Sequence, residues 1–565
     1  MSDQNFWNGN STSKNHVSHS KNHDSAKNTK ITEVEKSSKN RVNDSQKHNY
    51  GIWYCFAAIG LVLLLAAAII INNNLGSEIT ASQVSGSLDI DNGDTKINWD
   101  RYDTFDVALS ETFTITMSGT YHLTGTLNDG AIIINASGAK VRLILDNATI
   151  KNSSGPAILC YSADDLVIEL VGDNYIEDGK TYSSNYEEEV TGAIYSKDDL
   201  SFTGDGSLTV VANYQDGIVG KDDVKFNSGS YVVTAADDGI RGTDSVYVVS
   251  GDFDITATGD GIKSTNETTV GKGFVLIENG NFSLNTTAKG IKATNSILIY
   301  DGQYDIISRD DSIHSNSYIG IEGGVFSIAS GDDGIHADKT LIIDGGEIVI
   351  SKSYEGVEAQ AITINGGDIS ITSSDDGMNA GGGADASATN RPGAGTFDSD
   401  TNCILSINGG NIYVNASGDG IDSNGYLYFN GGTVIVDGPT TNGNGALDSG
   451  VGIVQSGGTV LAIGSSGMAV TLGNTSTVYN ASIYLSASQS AGTQIEIKNS
   501  AGDTIVSHTS AKTFNHISVG TPEFQNGETY TLYLNGAEYT TFTISDVTTT
   551  VGNTAQNFNQ MNNRR

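Results

Sequence analysis

A motif written Asp-Asp-Gly-Ile-x-Ala, followed by a β-type run that ends in Gly-Gly, recurs along this chain, as in SGDDGIHADKTLIIDGG at Ser330–Gly346. The large apolar residue after the glycine serves as a ruler. It falls at Ile194, Ile218, Ile240, Ile262, Ile291, Ile313, Ile335, Val357, Met378, Ile421 and Leu447, with gaps of 24, 22, 22, 29, 22, 22, 22, 21, 43 and 26 residues. A period near 22 that survives insertions predicts a stacked repeat.

Within one period, Gly-Ile-His-Ala (334–337), Leu-Ile-Ile-Asp (341–344) and Glu-Ile-Val-Ile (347–350) are separated by Asp- and Gly-rich turns. Short alternating segments bounded by such turns are strands. Three strands per period make one coil of a parallel β-helix, each strand pairing with its equivalent in the next coil. A leucine-rich horseshoe lacks its signature here, and the Gly-Gly is followed by an alternating strand, unlike a calcium-binding nonapeptide repeat. Coils begin near Phe113. Cys160, in GPAILC, takes the small inward position and reads as a buried space-filler. Insertions fall in the 36-residue gap between Ile158 and Ile194, at Thr265–Gly273 and at Gly381–Asn402. The expected fold is all-β: a parallel β-helix over 105–476 and a small antiparallel β cap over 477–547, which covers the open edge of the last coil. Residues 548–565 are polar and expected to be a disordered tail.

The other end is different in kind. Residues 1–50 are polar, with eight Lys or Arg against five Asp or Glu, and are expected to be disordered. Gly51–Ile71 is uncharged and about long enough to cross a bilayer. Basic residues precede it and none follows before Lys96, so a single-pass helix is expected, with the tail cytoplasmic and the bulk extracellular. Residues 72–104 read as a stalk. The formal charge is −36, and with +3 on the tail the remainder carries −39. Such a surface repels phosphate, which excludes nucleic acid as a partner and favours bound cations. The three cysteines are too far apart in sequence to form a disulfide framework.

Stacking turns a position into a column of residues ~4.8 Å apart. Two residues before the ruler stand Asp216, Asp238, Asp260, Lys289, Asp311, Asp333, Glu355, Asp376 and Asp419, doubled one position earlier by Asp237, Asp310, Asp332 and Asp375. Asp198, Asp199, Asp222 and Asp223 repeat in a neighbouring turn. Adjacent unit charges at that spacing repel by roughly 3.5 kcal/mol at an effective dielectric near 20. Either turn hydrogen bonds or cations must compensate. Oxygen-only ligands point to Ca²⁺, and no His/Cys cluster points to zinc.

One residue after the ruler, side chains should face outward: Tyr195, Val219, Arg241, Lys263, Lys292, His314, His336, Glu358, Asn379 and Asp422. Arg241, Lys263 and Lys292 either balance the acidic columns or form a groove for an anionic glycan, extended by His314 and His336, with Tyr195 as an aromatic platform. No catalytic residue stands out. Periodic residues suit a polymer ligand, although a lyase needs only a base and a cation near the uronate.

The segments KVRLILDNATI, GAIYSKDDLSFTGDGSLTV, NYQDGIVGKDDVKF, AADDGIRGTDSVYV and ATGDGIKS, with DDGIHA and DDGMNA further on, resemble the clostridial carbohydrate-binding parallel β-helix family over about residues 105–547. The resemblance implies a right-handed, pectate-lyase-like coil associated with calcium. It also implies binding of polysaccharide, either cellulose-like or acidic and polygalacturonate-like, without an established reaction. The expected function is therefore that of a membrane-anchored, extracellular, calcium-assisted polysaccharide-binding protein. A calcium-dependent polyuronate lyase and a surface adhesin or wall-structural protein are the alternatives.

Overall fold

The computed structural model describes residues 88–90, 94–381 and 400–552. The expected tail at 1–50, the helix at 51–71, most of the stalk and most of the Gly381–Asn402 insertion lie outside the described residues. Among the described residues no helix is long and apolar enough to cross a membrane.

The repeat folds as a parallel β-solenoid with three sheets. The ruler strands form the first: Gly192–Ser196, Asp216–Gly220, Ile240–Gly242, Ile262–Ser264, Ile291–Ala293, Ile313–Ser315 and their successors. Each pairs in parallel with the equivalent strand one coil away, and Ile194, Ile218, Ile240, Ile262, Ile291, Ile313, Ile335, Val357, Met378, Ile421 and Leu447 stand in one register. A second sheet runs through Leu200–Gly204, Asp223–Phe226, Ser245–Val248 and Phe274–Ile277, and a third through Ser230–Ala235, Asp252–Ala257, Asn281–Thr286 and Gln303–Ile307. All are parallel within the coils.

Sequence alternation explains the packing. Asp252–Ala257, DFDITA, alternates exposed and buried residues one by one, so Phe253, Ile255 and Ala257 enter the core. Identical inward positions then stack: Tyr231, Phe253, Phe282, Tyr304 and Phe326 lie with successive ring centroids 5.0, 4.9, 4.9 and 4.4 Å apart. Such ring pairs add about 0.5–1.5 kcal/mol each beyond area burial. The corner before these strands needs glycine. Gly302 has φ 130°, and a Cβ there would come within 2.8 Å of the Gly280 carbonyl one coil earlier. Cys160 is buried, as expected, and desolvation pushes its thiol up to about 12.

The C-terminal unit closes the stack. Phe514–Gly520 pairs antiparallel with Thr459–Gly464, the last strand of the third sheet, and with Asn480–Gln489. A separate four-stranded antiparallel sheet, with hairpin turns at Asn499–Asp503 and Leu534–Ala537, lies within the expected antiparallel cap. Residues 548–551 correct the expected polar tail. Thr548–Val551 is a strand pairing with Asn480–Ile483, because three threonines and a valine in succession are β-prone beside a free edge.

The end of the expected stalk is also corrected. Asp89 donates its backbone N–H to the Gly271 carbonyl at 3.0 Å, Asp94 pairs with Lys225 at 3.0 Å, and Trp99 lies under the Arg142 guanidinium. Leu88 and Ile90 pack against Tyr247, Leu276 and Leu298 on the outer surface of the second sheet. That surface is apolar, so a polar spacer held away from it would leave it in water. Residues 88–90 and 94–103 instead strap the solenoid.

Candidate functional site

The ruler sheet presents the two predicted columns side by side. The outward column is in register from Tyr195 through Val219, Arg241, Lys263, Lys292, His314, His336, Glu358 and Asn379 to Asp422. In the acidic column, the carboxylates turn into the corner instead of facing solvent. Asp216, Asp238, Asp260, Asp311 and Asp333 are buried. Each uses Oδ1 to accept the backbone N–H of the equivalent residue in the next coil: Asp238 to Asp216 at 3.1 Å, Asp260 to Asp238 at 2.9 Å, Lys289 to Asp260 at 2.9 Å, Asp333 to Asp311 at 3.0 Å and Glu355 to Asp333 at 3.0 Å. The turn-forming role of Asp therefore extends between coils, which satisfies a buried donor at each corner.

The remaining carboxylate oxygens attract the basic column. Arg241 meets Asp216 Oδ2 at 2.7 Å, and Lys263 meets Asp238 Oδ2 and Asp260 Oδ2 at 3.1 and 2.9 Å. Lys289 holds Asp310 and Asp311 at 2.8 and 2.6 Å, and His314 Nδ1 meets Asp311 Oδ2 at 2.8 Å. Burial works against the Lys263 charge, but Asp260 and Asp238 outweigh it and raise its pKa. Burial likewise opposes ionisation of Asp311, yet His314 and Lys289 hold its carboxyl well below the usual range. Arg241 and Lys263 thus serve charge balance. Lys292, half-buried, makes no ion pair with a described residue.

Beyond Asp311 the basic residues run out while the acids continue. Burial and neighbouring acids push Glu358 up to about 8, Asp376 to about 8, Asp422 to about 7 and Asp419 to about 6. His336 is buried, which disfavours its charge, but Asp333, Glu358 and Asp311 raise it to about 9.

Tyr195 corrects the sequence expectation. Its ring is 0% exposed and packs with Leu159, Val190 and Val219 beneath Tyr182 and Tyr186 of the insertion, so it offers no platform. Ion pairs of Lys197 with Glu187 and Glu189 hold the insertion down. A 36-residue gap shows that an insertion exists, but not that it folds back over the ruler sheet.

Three oxygen clusters bring carboxylates within 4.8 Å of one another: Asp199–Asp222–Asp223, Asp216–Asp237–Asp238 and Asp310–Asp311–Asp332. Arg241 and Lys263 already serve the second, and Lys289 the third. In the first, Lys272 reaches Asp223 at 2.9 Å. Burial, with Asp244 and Asp223 adding to it, still pushes Asp222 up to about 6. Asp198 is occupied structurally, its Oδ2 accepting the Ala163 N–H at 2.8 Å. Asp375 and Asp376 are half-buried, and Asp376 Oδ1 accepts the Asp419 N–H at 2.5 Å.

A surface that the ruler columns do not reveal lies on the third sheet. An open groove crosses five coils there, lined by Asp252, Asn281 and Gln303 in one row and Asp254, Ser283, Asp305 and Ser327 in another. Asp254 and Asp305 make no hydrogen bond or ion pair with a described residue, and Val232 and Val325 are exposed beside them. Aligning the exposed letters of SYVVTA, DFDITA, NFSLNT and QYDII shows these rows directly.

A repeated solenoid carrying rows of short polar side chains is the context for the family match. The model of the family described as carbohydrate-binding domain-containing protein matches residues 110–377 of the chain. A carbohydrate-binding domain-containing protein of Acetivibrio thermocellus is 33% identical over 164 residues, 28% of this chain and 56% of that protein. The chain thus spans a little over half the length of that relative. Among solved structures, a polysaccharide lyase-like protein from C. thermocellum, a gadolinium derivative, is 30% identical with a TM-score of 0.35, covering 42% of this chain and 95% of that one.

Proposed function

We propose that this protein binds polysaccharide non-catalytically along the solenoid, as an extracellular protein anchored by residues 51–71. The observation that carries the reading is the third-sheet groove inside the matched segment, where Asp254 and Asp305, without a partner among the described residues, alternate along the coil axis with Ser283 and Ser327. Equivalent hydrogen-bonding groups at regular spacing meet the repeating hydroxyls of a glycan chain, and exposed Val232 and Val325 meet its apolar faces. A cellulosic glycan binds such a groove directly. An acidic glycan is repelled by Asp254 and Asp305 unless a cation bridges them. The donor set of Asp199, Asp222 and Asp223 fits Ca²⁺, since it is oxygen-only and brings three carboxylates together. Calcium held there would supply positive charge for uronate carboxylates.

Binding of the full chain to neutral and acidic polysaccharides, with and without chelator, tests the reading. The double change Asp254→Ala and Asp305→Ala is expected to weaken binding at least tenfold. Changing Arg241, Lys263 and Lys292 together to Ala tests the basic-column alternative. Undiminished binding by the groove variant, or no glycan bound by the wild type, defeats the proposal.

A further inference from the structure

The ruler sheet brings together a donor set that neither column shows alone. His336 Nδ1 lies 3.4 Å from Asp333 Oδ2, 3.5 Å from Glu358 Oε2 and 3.9 Å from Asp311 Oδ2. Asp333 is 0% and His336 1% exposed, and among the described residues neither Asp333 Oδ2 nor His336 Nδ1 has a hydrogen-bond partner. Buried polar atoms almost always have partners, so two orphans 3.4 Å apart mark a place where a ligand belongs.

The spacing is informative about the ligand. A charge-assisted N–H···O bond closes to about 2.7–2.9 Å. One coil earlier, His314 Nδ1 and Asp311 Oδ2 do so at 2.8 Å. The 3.4 and 3.5 Å separations around His336 are too long for that bond. They match the edge of a tetrahedron whose centre lies about 2.0–2.2 Å from each N and O ligand, the bond lengths of zinc. We propose that His336 Nδ1, Asp333 Oδ2 and Glu358 Oε2 form a binding site for one divalent metal ion of the zinc class, with the fourth position open.

The surroundings agree. Asp338 Oδ1 lies 3.6 Å from His336 Nε2, on the side where a ligating imidazole directs its other N–H toward a carboxylate. Asp311 Oδ2 is already held by Lys289 and His314, and His314 Nε2 faces Asn316 Oδ1 at 3.2 Å, so these groups wall the site without supplying ligands. The Glu358 side chain retains 17% exposure, which leaves an entry path. A neutral imidazole with two carboxylates suits zinc, cobalt or nickel, whereas calcium takes more ligands and all of them oxygen.

The test uses the full chain without an affinity tag, stripped by chelator and titrated with Zn²⁺ at pH 7 against a chromophoric competitor. Thermal unfolding is followed in parallel. His16, His19 and His23 remain in every variant, so differences between variants isolate this site. The wild type is expected to bind one equivalent more than His336→Gln or Glu358→Gln, with a zinc-dependent rise in Tm absent from both variants. His508→Gln is expected to behave as wild type. Co²⁺ should give tetrahedral visible absorption that Zn²⁺ abolishes, a readout that stands even if His336→Gln fails to fold. Equal zinc binding by wild type and Glu358→Gln, or displacement of cobalt by hundredfold Ca²⁺, overturns the assignment.

Discussion

Coils between Asp216 and Lys289 and coils between Asp333 and Asp422 share one face and one backbone design, yet they handle buried carboxylates in opposite ways. In the first set, Arg241, Lys263 and Lys289 reach the free oxygen of nearly every ladder carboxylate. In the second, the same outward position holds His336, Glu358, Asn379 and Asp422, and burial with neighbouring acids pushes Glu358, Asp376, Asp419 and Asp422 well up. The hydrogen-bond ladder demands an acid at every corner, but it does not demand a counter-charge. Where the counter-charge is absent, the face can answer to protons and metal ions.

The largest effect should come from moving a compensated coil into the other class. Lys289, whose side chain is 8% exposed, bridges Asp310 and fully buried Asp311. Lys289→Met should destabilise the chain by about 3–5 kcal/mol at neutral pH, because one partner of a buried pair is left charged. Chemical denaturation measures this, and a loss below 1 kcal/mol would erase the distinction between the two sets.

Next comes pH. Glu358 and Asp376 are raised to about 8 and Asp422 to about 7, so the folded state holds protons that the unfolded chain releases near pH 4. Stability therefore declines as pH rises from about 4 toward 8. His336, raised to about 9, stabilises fully below its unfolded value near 6.5 and loses that contribution as pH passes through 9. Both trends have one sign: in chelator, Tm should fall by several degrees between pH 5 and pH 9. A Tm that rises over this range would contradict the raised carboxyls.

A smaller change sharpens the same point. Asp376→Asn keeps the oxygen that accepts the Asp419 N–H and removes the charge. It should stabilise the chelated protein by about 1–2 kcal/mol at pH 8 and by much less at pH 5. Equal effects at the two pH values would show that charge is not the cause. The smallest effect is expected at Lys292, which lacks an ion pair among the described residues; Lys292→Ala should stay within about 0.5 kcal/mol in thermal unfolding.

Much of this arrangement was legible in the letters. The ruler placed Ile240, Ile262, Ile291 and Ile313 in one core column and Arg241, Lys263, Lys292 and His314 beside it, because a coil of fixed length repeats its geometry. What escaped were relations running across columns. Asp333, His336 and Glu358 belong to two columns and two coils, so a reading of one column at a time found acids suited to calcium and no cluster suited to zinc. Reading the positions two before and one after the ruler together, down successive coils, would have found the set. The burial of Tyr195 depends on where an insertion lands, which periodicity does not encode. The docking of Asp89 and Asp94 was hidden because the strap resembles a polar linker and reveals itself only opposite Lys272 and Lys225.

That strap determines how the molecule meets force. Its residues run backward along the second sheet, from Gly271 beside Asp89, past Lys225 beside Asp94, to Arg142 beside Trp99, before the first coil begins at Thr104. Tension on the chain ahead of residue 88 is delivered first to the middle of the stack. It loads the strap contacts in shear, along the sheet, before any of it reaches the first coil as a peeling force. The terminal coil, which has the fewest neighbours, is thereby the last part of the N-terminal region to feel the pull.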